Sequence, residues 1–460
     1  MTTQRTHDIG GVPRSRIVAA SMIGTTIEFY DFYAYGTAAV AVFPQLFYPK
    51  GDPTAALLAS LATFGLAFAA RPLGSILFGH FGDRVGRKAT LVASLLLMGI
   101  ATVLIGALPT YQQVGIVAPT LLAVMRFSQG LALGGEWSGA ALLATETAQP
   151  RKRAWAAMWP QLGAPFGFLL ANGVFLVLVL CLGTAPGGAF LTWGWRVPFL
   201  LSSVLVVVGL YVRLRLTETP VFARAVERGE RVKAPLVEVV RGSWRQLVIG
   251  TLVMLATYTL FYVVTTWALA FGIGKPPPAG TGLGFAYVDF LELQLIAVVF
   301  LAATVPVAGL LADRFGRRPT LLVVTVGIIA YGGLFGVLLT PGATSTASVL
   351  LFLVLGMTLM GLTFGPMSAV LPELFPTNVR YTGSGIAYNA ASILGAAVAP
   401  FIATWLATNY GVGWVGLYLS VAAALSLAAI WVMRETRDVP LDDDVRTGRV
   451  EAAAVDGPPR

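Results

Sequence analysis

The sequence predicts an all-α membrane protein, twelve transmembrane helices in two six-helix bundles related by a parallel repeat. Three observations carry this. The 460 residues are 56% hydrophobic and only 12% charged, whereas soluble domains are roughly 25% charged, and mean hydropathy is +0.77. Apolar stretches of about 20 residues, each able to cross a hydrocarbon core of about 30 Å, recur along almost the whole chain. A charged motif near residue 83 also returns near residue 313. Helices are the spanning element, because lipid satisfies no backbone hydrogen bond and barrel strands would alternate in polarity.

A polar segment, 1–16, comes first, and no cleavage site follows it at a signal-peptide distance, so span 1 reads as an uncleaved helix. The first bundle, 17–214, holds spans 17–46, 56–80, 89–108, 115–147, 155–182 and 194–214. A basic linker, 215–243, leads to the second bundle, 244–433, with spans 244–272, 288–311, 319–340, 346–374, 381–408 and 412–433. Separators such as "YPKGDPT", "PRKR" and "GKPPPAGTG" punctuate them. The tail, 434–460, is polar and rich in Pro and Gly towards its end, and it is expected to be disordered.

Lys and Arg orient the chain. On this map the N-terminus, the even-numbered junctions and the tail hold 26 of the 31 basic residues. Both termini are therefore expected in the cytoplasm, in a multi-pass protein of the cell membrane. The net charge of +9 reads as topology, not as affinity for nucleic acid. Cys181 is alone, and His7 and His80 lie near span ends. Neither a metal site, a cofactor nor a catalytic constellation is expected, so the chain reads as no enzyme.

"GHFGDRVGRKAT" (79–90) after span 2 reappears as "GLLADRFGRRPT" (309–320) after span 8, at an offset of 230. Glu146 and Arg153 around Pro150 correspond to Glu373 and Arg380 around Pro376, at an offset of 227. Two junctions at nearly one offset argue for duplicated halves in one orientation. An Asp at such a turn can accept from a neighbouring helix N-terminus, and an Arg can bridge to acids at other helix ends. Asp83, Arg84, Arg87, Glu146 and Arg153, with Asp313, Arg314, Arg317, Glu373 and Arg380, are therefore candidates for a cytoplasmic gate.

These junctions resemble the signature of the major facilitator superfamily. Further stretches, "GTTIEFYDFYAYGTAA", "RFSQGLALGGEWSGA", "GWRVPFLLS", "LTETPVF" and "PELFPTNVRYTGSGIAYN", resemble its metabolite:proton symporter branch. The resemblance implies alternating access and proton-driven uptake of small organic solutes such as dicarboxylates, shikimate-type acids or osmolytes. It also implies that Arg126 matches the buried span-4 Arg of the family, and that spans 1, 4, 7 and 10 surround the path.

A carboxylate at mid-bilayer costs about 2.5–3.5 kcal/mol even on lenient scales, yet span 1 carries Glu28 and Asp31. Span 4 carries Arg126 and Glu136, and span 2 carries Arg71. Arg126, Gln129 and Glu136 share one helical face, as do Glu28, Asp31 and Tyr35. Such stripes read as the lining of a water-filled cavity. Three acids face two bases, so full pairing leaves one carboxylate over. Burial penalises its charged form, and it can then take up and release a proton near physiological pH. Asp31 is the favoured proton carrier, with Glu28, Arg126 and Glu136 as coupling partners. Arg71, Arg126, Gln129, Tyr35, Gln161, Tyr258, Tyr262 and Asn389 are the candidate substrate contacts. Buried arginines favour a carboxylate-bearing substrate. The expected partners are that small molecule, the proton and the lipid bilayer, for a protein acting as a monomer. The alternatives are a proton-coupled antiporter exporting a small molecule, faintly suggested by "GAPFG", and a sugar-type facilitator, suggested by "ETPVF".

Overall fold

The computed structural model describes residues 14–49, 51–85, 87–134, 141–142, 144–145, 148, 151–185, 187–214, 235–376 and 379–438. Apolarity, not amphipathic patterning, builds its long helices, as a lipid environment demands. In the first half these are α1 (Arg14–Ala41), α2 (Pro53–Val85), α3 (Arg87–Ala107), α4 (Val117–Leu133), α5 (Arg153–Leu182) and α6 (Val197–Leu214). In the second they are α7 (Trp244–Ile273), α8 (Tyr287–Phe315), α9 (Arg317–Gly333), α10 (Thr346–Glu373), α11 (Arg380–Asn409) and α12 (Val412–Val432). Among the described residues, eight helices are long and apolar enough to cross a membrane, and Val92–Ala107 and Val117–Leu133 are shorter apolar helices.

Within the first half α1 packs on α5 and α6, α2 on α4, and α3 on α6; within the second α8 packs on α10, and α12 on α7 and α9. The halves meet chiefly through α5 against α8 and α2 against α11. Small residues let α2 and α4 touch backbone to backbone. A Cβ on Gly130 would overlap the backbone of Ala67, and one on Gly74 that of Leu131. Small-residue contacts of this kind replace the hydrophobic effect, which gives lipid-embedded helices no reason to associate. Gly130→Val is expected to force α4 off α2. Overpacking costs about 1–3 kcal/mol even where side chains can yield, and here backbone cannot. The folded fraction recovered in detergent, read by size-exclusion chromatography, should fall several-fold.

Two helices are locally widened into π geometry, Val263–Trp267 in α7 and Ser392–Ala397 in α11. Such segments release backbone carbonyls. In α7, Gln294 of α8 donates to the carbonyls of Thr265 (2.8 Å) and Val264 (3.4 Å).

The inter-bundle linker ends in a helix, Pro235–Gly242, whose Val239 is buried against the second half. One segment departs from expectation. Residues 434–438, placed by sequence in a disordered tail, pack on the end of α9. Glu435 accepts from the backbone N–H of Arg317 and Arg318 (both 2.9 Å), capping that helix. The reason is the exposed helix N-terminus itself, whose unpaired donors and positive dipole end attract a carboxylate.

Candidate functional site

The first helix divides its residues between two surroundings. Phe32, Tyr33, Gly36 and Thr37 face a narrow cavity between the halves, opposite Tyr262 and Thr266 of α7. Asp31 and Tyr35 do not share that face. Asp31 turns into the first half, where the Ser202 hydroxyl of α6 donates to its Oδ1 at 2.6 Å. Tyr35 is buried against Phe43, Phe64 and Arg126. Asp31 and Tyr35 are thus not part of the cavity lining the sequence suggested. Asp31 faces α6 because Ser202 there gives its carboxyl a polar partner inside the first half.

Asp31 is 2% exposed, and its Oδ2 has no hydrogen-bond partner. No salt bridge joins it to a base among the described residues. Glu28, half-buried one turn away, lies within electrostatic range of Asp31 and of Tyr388.

Arg126 is completely buried. Its guanidinium is stacked by Phe32 and Tyr35 (4.2 Å each) and by Phe64 (4.7 Å). It donates to the Phe64 carbonyl (3.2 Å) and to Gln129 Oε1 (3.0 Å), and Nη2 has no partner. The ring faces supply part of the stabilisation a carboxylate would give, a desolvated cation–π contact being worth about 2 kcal/mol. Gln129 passes its own N–H to Thr102 (2.7 Å), a residue that also stands in the surroundings of Asp31. Gln129 therefore holds Arg126 in place and has both ends engaged. Thr102 links the two charged groups without joining them in an ion pair.

Arg71 lies over Phe32 (4.9 Å) and Phe68 (4.8 Å), with its Nε unpartnered. Tyr258, Tyr262 and Tyr388 all lie within its electrostatic range, with Tyr258 in ring contact with the other two at 6.4 and 5.2 Å. The hydroxyl of Tyr33 is buried without a hydrogen-bond partner among the described residues. These tyrosines form an aromatic chamber that adjoins the cavity at Phe32 and Tyr262 and has Arg71 beside it. Gln161 and Asn389 do not line it. Gln161 donates to the Phe364 carbonyl (3.0 Å), and Asn389 to Ser75 Oγ and the Gly134 carbonyl (3.1 Å each).

At the end expected to be cytoplasmic the halves are closed by charge. Asp313 accepts from the backbone N–H of Ala154 (3.1 Å) and Trp155 (2.9 Å), the first turn of α5. Arg317, fully buried, meets Asp313 at 2.9 Å and grips Glu373 through Nη2 (3.1 Å) and Nε (3.2 Å). Arg153 reaches Glu373 at 3.8 Å from the other half, and Thr436 donates to it at 2.6 Å. Arg380 donates to the Phe375 carbonyl (3.3 Å), and Arg314 is exposed over Phe315. Arg151 reaches Asp438 at 3.2 Å, also across the halves, and hydrogen bonds from Arg437 and then Arg151 hold the Asp438 carboxyl below its ordinary value. Glu136 and Glu146 lie outside the described residues, as do the side chains of Asp83, Arg84 and Arg87.

Ser202, Thr102, Gln294, Glu435 and Thr436 escaped sequence reasoning. Glu435 alone had a signal, an acid directly after the last span.

The chain matches the family model described as the Major Facilitator Superfamily over residues 21–393 and 292–455. It is 57% identical over 424 residues to the inner membrane metabolite transport protein YhjE of Escherichia coli (strain K12), covering 92% of this chain and 95% of that protein. To the shikimate transporter of the same strain it is 35% identical over 430 residues, covering 92% and 95%. To that strain's proline/betaine transporter it is 34% identical over 446 residues, covering 94% and 85%. Among solved structures, the proton:xylose symporter XylE bound to 6-bromo-6-deoxy-D-glucose superposes with a TM-score of 0.70 at 19% identity, over 93% of this chain and 97% of that one. At that identity the likeness establishes the fold.

Proposed function

The chain belongs to the Major Facilitator Superfamily and is a multi-pass membrane transporter, and from that premise we propose that it takes up a small carboxylate-bearing metabolite by proton symport, with Asp31 carrying the proton. The observation that carries this reading is the Asp31 carboxyl, buried in the first half with a hydroxyl partner and no cation. An ionised carboxylate is expensive in such a place, while a protonated one is not. Its charge state can therefore follow which side of the membrane the helix faces. Arg126 stands close enough to act on it through Thr102 and Gln129 but is held by aromatic rings. The guanidinium cannot give up its own proton in this role.

Arg71 receives the substrate carboxylate, and Tyr258, Tyr262 and Tyr33 surround the body of the molecule. The relatives support this choice of substrate. Shikimate, proline and betaine, carried by proteins named for them, all bear a carboxylate. The Asp313–Arg317–Glu373–Arg153 cluster acts as the cytoplasmic gate, with both termini on that side and one protomer sufficient for transport. The lysine and arginine distribution supports that orientation.

Right-side-out vesicles with an inward proton gradient test the reading directly. Offered labelled dicarboxylate, shikimate or betaine, they should accumulate at least one of these, and a protonophore should abolish the accumulation. Expulsion of preloaded label under the same gradient would mean antiport and overturn the proposal.

A further inference from the structure

Gln161 and Asn389 form two halves of one device. Gln161, on α5 of the first half, donates its amide to the Phe364 carbonyl on α10 of the second. Asn389, on α11 of the second half, donates its amide to the Gly134 carbonyl, at the end of α4 of the first, and to Ser75 on α2. Each contact is an amide side chain reaching across to a backbone carbonyl. The donors come from opposite halves.

The two contacts fall on corresponding helices of the halves, the donors on α5 and α11 and the acceptors on α4 and α10. Asn389 lies 228 residues after Gln161, and Phe364 lies 230 after Gly134. The junction motifs are offset by 230 and 227, so the repeat relates the two contacts helix for helix, to within one turn. Both amides are buried, at 1% and 3% exposure. The shared chemistry is hidden in the sequence because one partner is Gln and the other Asn.

We propose that these two amides are a pair of neutral clasps, a gate layer distinct from the ion cluster, which must both release when this end of the transporter opens. They sit between the aromatic chamber and the charged end. On α10, Phe364 is the acceptor and Glu373 the gate acid, with Ser368 between them. An uncharged layer there suits repeated breaking. An amide and a carbonyl that part can each turn to entering water, whereas separating a buried ion pair exposes two charges to a low dielectric. The inference rests on alternating access and not on proton coupling, so it survives if Asp31 proves not to be the carrier.

The test is directional thiol labelling. Cys181 is the chain's one cysteine, and its replacement by Ser gives a background for single probes. Ser368→Cys reports the gate end, and Thr266→Cys, in the cavity wall of α7, reports the opposite side. A neutral hydrogen bond contributes about 1 kcal/mol net, so removing one clasp should raise the open-to-closed ratio at the gate end about fivefold. Both clasps close the same motion, and the effects should multiply to about 25-fold in Gln161→Ala with Asn389→Ala. Labelling of Ser368→Cys by an impermeant maleimide in inverted vesicles should rise accordingly, while labelling of Thr266→Cys from the other face falls. Unchanged labelling at Ser368→Cys in the double variant overturns the proposal. So does a rise at both probes together, which would mean that the amides hold the fold and gate nothing.

Discussion

Asp31→Asn is expected to abolish accumulation against a gradient while leaving exchange of substrate across the membrane largely intact. Asn keeps the shape of Asp and can still accept from the Ser202 hydroxyl at Oδ1, so the fold has little reason to change. What it loses is the ability to change charge. With a permanently neutral group the helix can face either side whether or not a proton is present, and transport is uncoupled from the gradient. Active uptake in the variant should sink to passive equilibration, and counterflow in de-energised vesicles should persist. If accumulation in Asp31→Asn equals that of the wild type, the proton travels on another group.

The second large effect belongs to Arg317. Its guanidinium holds Glu373 and Asp313 together, and both it and Glu373 are almost wholly removed from solvent. Arg317→Ala leaves the Glu373 carboxylate with Thr436 and, at the longer 3.8 Å, Arg153. Stranding a buried charge in this way costs about 3–5 kcal/mol, and the thermal midpoint in detergent should drop by several degrees. Adding Glu373→Gln removes the stranded charge and should recover part of the loss. The sign of that recovery separates charge burial from lost packing, because a packing defect at Arg317 would not be repaired by neutralising Glu373.

How much of this was legible in the sequence follows from which solvent each residue meets. Lipid leaves an apolar helix few alternatives, so the all-helical class was readable, whereas ends were not: span 9 was read to 340 and its helix stops at Gly333. Asp31, Arg71 and Arg126 stood out because charges in apolar stretches are rare and costly. Asp313 and Arg317 stood out because their motif occurs twice. The rotation of α1 was not readable. Glu28, Asp31 and Tyr35 share one face by periodicity, but which neighbour that face meets depends on α3 and α6 packing. Ser202 decided it, and one serine in an apolar helix looks like any other. Gln129, Gln161 and Asn389 were recognised as buried polar groups and given to the substrate, whereas their amides are engaged with protein groups. An amide can serve either end equally well by type, and tertiary packing made the choice. The packed residues 434–438 were hidden for a similar reason, since Glu435 acquires its place only from the folded end of α9.

The most direct measurement is proton movement on substrate addition, read by a pH-sensitive dye trapped inside proteoliposomes without an imposed gradient. Adding the transported acid outside wild-type protein should acidify the lumen, and the same addition to Asp31→Asn should leave the dye unchanged. Alkalinisation with the wild type, or undiminished acidification with the variant, would contradict proton symport through Asp31.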